Sequence, residues 1–209
     1  MLAITLSLGV WQIERLHWKQ GLLSEIDRAE AAPAIPFPAD PTPFEKVELT
    51  GVLRGDLIAH YGSEVRGVVG GAKLGAQLIV PLERPGKPPI LVDLGWLPDD
   101  ATPAIPNGPT EVTGYIRPPE PASRLSPGPD LQQRRFWSLD PAPIGAALGL
   151  PAVAPYTLVA LGPIAATPSP AQSLPRPSND HLGYAVTWFG LALCLIGIFV
   201  VFARRTLRR

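Results

Sequence analysis

Three imidazoles (His17, His60 and His181) and one thiol (Cys194) are all the soft or borderline nitrogen and sulfur donors in this 209-residue chain beyond a single methionine. Those counts limit its chemistry. One cysteine excludes a disulfide framework, a paired-cysteine redox site and a four-cysteine zinc site. It also argues against a Cu(I) carrier, which wants thiolate and thioether ligands. No HExxH, GxSxG, Walker or GxGxxG motif occurs. Asp99-Asp100 lies beside prolines and reads as a solvated turn, and no paired-carboxylate cluster stands out. A hydrolytic Ser-His-Asp site built from distant residues through His60 has no motif behind it. His60 alternates within a strand beside Tyr61 and reads as structural; His17 reads as solvated. The chain is therefore not expected to be an enzyme. His181 differs by its position, since it follows Asn179 and Asp180 at the start of the most apolar stretch. Two readings apply to it. It is an interfacial polar residue beside a helix cap drawn from Ser178, Asn179 or Asp180, or its neutral imidazole is a ligand to a metal or a haem iron.

The element that must carry His181 is a helix. Residues 182–203 are 22 positions without a formal charge. At 1.5 Å per residue they reach about 33 Å, enough for a hydrocarbon core of roughly 30 Å. Tyr184, Trp188 and Phe189 lie near one end as an aromatic belt; Arg204, Arg205, Arg208 and Arg209 lie at the other, which puts the C-terminus in the cytoplasm. On a helical wheel His181, Tyr184, Trp188, Leu191 and Leu195 share one face. Gly183, Thr187, Gly190, Cys194 and Gly197 form a stripe of small residues about 160° away. Small stripes let membrane helices approach closely. The expectation is that the glycine stripe packs on a second helix, which leaves the His181/Trp188 face open to a ligand, lipid or partner.

That second helix is the N-terminal one. Residues 1–13 are apolar apart from Thr5, Ser7 and Gln12, but 13 residues reach only about 20 Å. With no basic region in front they make a poor signal peptide and are expected to form an uncleaved membrane helix that is short or begins upstream. Helical spacing of Leu16, Leu23 and Ile26 continues it to about residue 31, until Pro33. Trp11, Arg15 and Trp18 recur at i, i+4, i+7 and share a face, either as an interfacial belt or with Arg15 stacked on indole.

Between the helices the period changes to two. Strands are expected near 47–53, 57–61, 76–82, 90–97, 111–116, 136–139 and 156–161, with turns at 68–71 and 86–89 and a short helix near 143–148. The chain reads as a membrane α+β protein with two transmembrane helices in a hairpin around a periplasmic β-rich domain, a small barrel or sandwich. Its expected segments are 1–31 (first helix), 32–43 (Pro-rich linker), 44–162 (β-rich domain), 163–178 (Pro-rich return), 179–203 (second helix) and 204–209 (basic tail). The 27 prolines fit two extended connections. Equal totals of 18 basic and 18 acidic residues argue against nucleic-acid binding.

Two terminal signatures resemble a known family. Leu8-Gly9-Val10-Trp11-Gln12-Ile13-Glu14-Arg15-Leu16-His17-Trp18-Lys19 is similar to the LGxWQxxRLxWK signature of the surfeit locus protein 1 family. The stretch from Asn179 through His181, Tyr184, Thr187 and Trp188 to Gly190 resembles its NxHxxYAxTWFG signature. Pro81-Leu82 followed by Val92-Asp93-Leu94-Gly95-Trp96-Leu97-Pro98 resembles its central segment, and Gly114 to Glu120 resembles its GxxRPPE turn. One departure is Leu94, where the family usually has arginine; a salt bridge or haem-propionate contact tied to that arginine does not carry over. The resemblance implies an assembly factor of haem-copper cytochrome c oxidase in the bacterial inner membrane. It implies a chaperone that binds haem a transiently and assists its insertion into subunit I. His181 is then the iron ligand, with Trp188 and Tyr184 as haem-binding neighbours. Implied partners are oxidase subunit I, haem A synthase and the lipid bilayer. A cofactor-free scaffold for a subunit I intermediate is the alternative.

Overall fold

The computed structural model describes residues 1–124, 126–164, 168–171, 174 and 176–208. Its elements run α1 (Leu2–Ala31), β1 (Ile35–Pro36), β2 (Lys46–Arg54), β3 (Ala59–Val68), β4 (Gly71–Arg84), β5 (Lys87–Pro98), β6 (Asn107–Arg117), β7 (Arg135–Phe136), α2 (Pro141–Ala147), β8 (Thr157–Ala160) and α3 (His181–Leu207). The chain divides into two compact units, one of residues 1–28 with 175–209, the other of residues 29–174.

In the second unit the eight strands found among the described residues make one mixed sheet, ordered β1-β2-β6-β8-β5-β4-β3-β7. Val52 and Leu53 of β2 also pair with Glu83 and Leu82 of β4, so β2, β6, β8, β5 and β4 pair in a closed circuit. Among the described residues there is one continuous sheet. Side chains alternate across it. Val80 and Leu82 of β4, with Ile90, Val92 and Leu94 of β5, enter a core shared with Val47, Val112, Ile116 and Leu158. Ile79 and Leu91 point the other way and meet Phe136, Leu139, Ile144 and Leu148. Strand β5 is covered on both faces, which accounts for its unbroken apolar run. Each such aliphatic side chain contributes roughly 1.5–3 kcal/mol by leaving water. The short helix α2 supplies the second cover; Asp140 caps it by accepting from the Ala142 N–H at 3.2 Å, and Pro141 opens its first turn.

Several expected boundaries move. Strand β3 runs on to Val68, because a bulge between Tyr61 and Glu64, with Gly62 at φ +71°, absorbs the residues that read as a break. The β4–β5 turn is only Pro85-Gly86, since Arg84 pairs with Lys87. The strand expected over 136–139 is confined to Arg135 and Phe136. The first Pro-rich linker holds β1, paired in parallel with β2. The Pro-rich return is not merely extended: Ser169 exchanges two main-chain hydrogen bonds with Trp96, both at 2.9 Å. Gly95 lies beneath this crossing at φ +112°, and a Cβ there would sit 2.0 Å from the Ser169 carbonyl oxygen. The glycine of the central Gly-Trp pair is thus required by close backbone approach.

In the first unit α1 and α3 lie antiparallel, with Met1 and Leu2 beside Leu195 and Phe199 and Gln12 beside His181. Among the described residues α3 is the one helix long and apolar enough to cross a membrane. The apolar part of α1 ends near Ile13, where Glu14 and Arg15 begin a charged stretch.

Candidate functional site

The helix pair is assembled by three buried residues of α1. Thr5, Gly9 and Gln12 are its buried positions, at spacings of four and three. On α3 the buried positions are Ala185 and Ala192, flanked by the half-buried His181, Trp188 and Leu195. Gly9 allows the approach: a Cβ on it would come within 2.7 Å of the Phe189 ring. This reverses the expected packing. Beyond their chain neighbours and their own helix backbone, Gly183, Gly190 and Gly197 have no described atom within 4 Å of where a Cβ would be, and the His181/Trp188 side of α3 turns toward α1. The helices meet through whichever face fills space best, and alanines against a glycine do so here without help from the glycine stripe.

This packing places His181 in a defined setting. Its Nδ1 lies 2.7 Å from Gln12 Oε1. An amide oxygen only accepts, so the ring nitrogen donates. The Trp11 ring stands edge-on to the imidazole, with centroids 6.4 Å apart and an interplanar angle of 83°. Nε2 makes no hydrogen bond among the described residues, and the ring is half-buried. Asn179 Oδ1, two residues earlier, is buried without a hydrogen-bond partner in the described structure. The expected side-chain cap is not formed: Asp180 occupies the N-cap position of α3 with no side-chain cap bond. Farther along, Lys19 donates to the Ser178 carbonyl and Arg176 pairs with Asp27 at 2.8 Å, so α1 is held to the segment before α3 over several turns.

The other residues singled out from the sequence separate into groups. Arg15 lies over Trp18, its guanidinium carbon 3.9 Å from the ring centroid. Trp18 is 54% and Tyr184 57% exposed. No ring contact joins His181 to Tyr184 or Trp188 among the described residues; the aromatic partner is Trp11. Gln12 was not among the residues singled out. The available signal was a buried-type polar side chain inside an apolar helix, which needs a partner.

The β-rich unit holds two further polar groups. His60 lines a cleft of about 330 Å³ with Leu78, Leu97, Asp99 and Arg135. Burial and the Arg135 charge hold its pKa below the ordinary value. Asp99 binds Arg135 at 2.6 Å and Asp100 binds Lys73 at 2.7 Å, so the turn is ion-paired rather than merely solvated. No hydroxyl is hydrogen-bonded to the His60 ring among the described residues. Asp93 is 3% exposed; burial pushes its carboxyl up to about 6, against the Gly95 N–H that it accepts at 2.9 Å. Leu94 enters the core, so the position that departs from the family pattern is occupied by packing.

No group of three histidine, cysteine or acidic side chains converges among the described residues. A bare transition-metal ion needs about that many protein donors. An iron porphyrin brings four nitrogens of its own and needs one axial ligand. One oriented imidazole whose Nε2 has no hydrogen-bond partner among the described residues fits the second kind of group.

What emerges is a β-rich unit and an antiparallel helix pair, one helix of which has bilayer length. The SURF1 family profile matches residues 1–193. The chain is 31% identical over 214 residues to a SURF1-like protein of Rickettsia conorii, covering 97% of this chain and 88% of that one. It is 24% identical to surfeit locus protein 1 of Takifugu rubripes, over 97% of this chain and 92% of that one, and 25% identical to that of Mus musculus, over 98% and 74%. The chain belongs to the SURF1 family.

Proposed function

We propose that this chain is an assembly factor for haem-copper cytochrome c oxidase that holds haem a through His181 and assists its transfer to subunit I. The observation that supports this is the His181 imidazole, with Nδ1 engaged by Gln12 and Nε2 unbonded among the described residues. Tyr184 and Trp188 would border the macrocycle, and the apolar flank of α3 would take its hydrocarbon tail. In this reading α3 crosses the bilayer with its arginines in the cytoplasm. The apolar part of α1 enters beside it, and the β-rich unit faces the periplasm of a bacterial inner membrane, where it meets subunit I and haem A synthase.

The scaffold alternative draws on a different observation. The Trp11 ring and Gln12 both contact His181, so the imidazole also helps join the two helices without any cofactor. The visible spectrum separates the two. Purified in detergent after co-expression with haem a biosynthesis, the wild-type protein is expected to show a Soret band that His181→Ala reduces ~10-fold or more. Wild-type haem content and spectrum in His181→Ala refutes ligation; oxidase still loaded with haem by that variant favours the scaffold.

A further inference from the structure

We infer that Gln12 is a positioning residue for His181: it fixes the imidazole in the Nδ1–H tautomer and thereby leaves the basic Nε2 lone pair available to an iron atom. The inference rests on the ligand reading above and goes beyond it in assigning a role to a residue of the opposite helix. A neutral imidazole has two tautomers, and only one leaves Nε2 able to ligate. The acceptor that selects it here is Gln12 Oε1, 2.7 Å from Nδ1. Gln12 is itself 8% exposed on the α1 face that also carries Thr5 and Gly9, so packing against α3 constrains it. The Trp11 ring stands T-shaped to the imidazole, with centroids 6.4 Å apart. Histidines bound to metals characteristically donate their second N–H to a fixed acceptor, which sets ring orientation and raises ligand basicity. Gln12 has the placement for that role, and no other side chain bonds the ring among the described residues.

The inference predicts three distinct phenotypes in the full-length protein in detergent. The nitrogen-15 spectrum of the haem-free protein, with the His181 signal assigned by its loss in His181→Ala, should show Nδ1 protonated. Gln12→Leu keeps the size and suits an apolar helix pair; it should shift the signal to the commoner Nε2–H form and weaken haem retention about 10–100-fold. Gln12→Glu should retain the Nδ1–H tautomer and the Soret band, and lower the reduction potential of the bound haem, because a carboxylate acceptor makes the imidazole a stronger donor. Wild-type protein with Nε2 protonated overturns the inference, with or without haem. So does Gln12→Leu with unchanged tautomer and Soret band beside a His181→Ala that has lost its haem; in that case the ligand reading survives alone. An unchanged band in His181→Ala removes the ligand reading and this inference together.

Discussion

At the scale of residues, Asp93 shows what a buried carboxyl does to stability. Its pKa is pushed up from 3.8 to about 6 by burial. The folded state therefore binds a proton more tightly than the unfolded chain does. Between pH 6 and pH 4 the folded protein holds the proton that the unfolded chain has released, so stability falls as pH rises through that window. Above about pH 6 both states are ionised and the cost is fully present, on the order of 3 kcal/mol. Asp93→Asn keeps the oxygen that accepts from Gly95 and removes the charge. Thermal unfolding of the full protein in detergent should show the variant several degrees more stable at pH 7.5, with the gap closing near pH 4.5. An equal gap at both pH values would mean that the ionised carboxyl is compensated, with the Arg117 and Arg66 charges acting to lower its pKa. The residue-level signals were unequal in the sequence. His181 was visible by type and place, Gln12 only as a polar exception, and Asp93 as one residue of an apolar strand. A contact between residues 169 positions apart has no local signature.

At the scale of elements, the helix pair turns on one small residue. Gly9 receives Phe189, while Gly190 meets no described atom within 4 Å beyond its chain neighbours and its own helix backbone. In a Cys194→Ala background, Gly9→Cys should form a disulfide with Phe189→Cys on mild oxidation, and Gly190→Cys should form none with Gly9→Cys. The reverse result would restore the glycine-stripe packing expected from the wheel. Wheel geometry gives each helix two plausible faces and no means of ranking them; that depends on which side chains of the other helix fill the gap. The β elements were more legible. The alternation in β2, the apolar runs of β4 and β5 and the proline-led α2 each carry a local physical cause. The extension of β3 and the Ser169 bridge to Trp96 do not. The first needs a bulge that only pairing stabilises, and the second is a main-chain contact indifferent to side-chain type.

For the molecule as a whole, the proposed topology in the membrane rests on charge and length. Leu207, beside the terminal arginines, and Leu131, in the β-rich unit, are both exposed. In the Cys194→Ala background, a membrane-impermeant maleimide added to cells with opened outer membranes should label Leu131→Cys and leave Leu207→Cys unlabelled until the inner membrane is breached. Labelling of Leu207→Cys in intact cells would invert the proposed orientation. Amino-acid order alone determined the apolar length of α3, the arginines at its C-terminal end, the change of period that announces the β-rich unit and the motifs that mark the family, because each is set by neighbours along the chain. Only the tertiary structure decided which face of α3 meets α1, that five strands pair in a closed circuit, and that His181 is held by Gln12. Those are outcomes of packing and pairing between distant segments, where the free energy depends on how two surfaces fit and not on what either one contains.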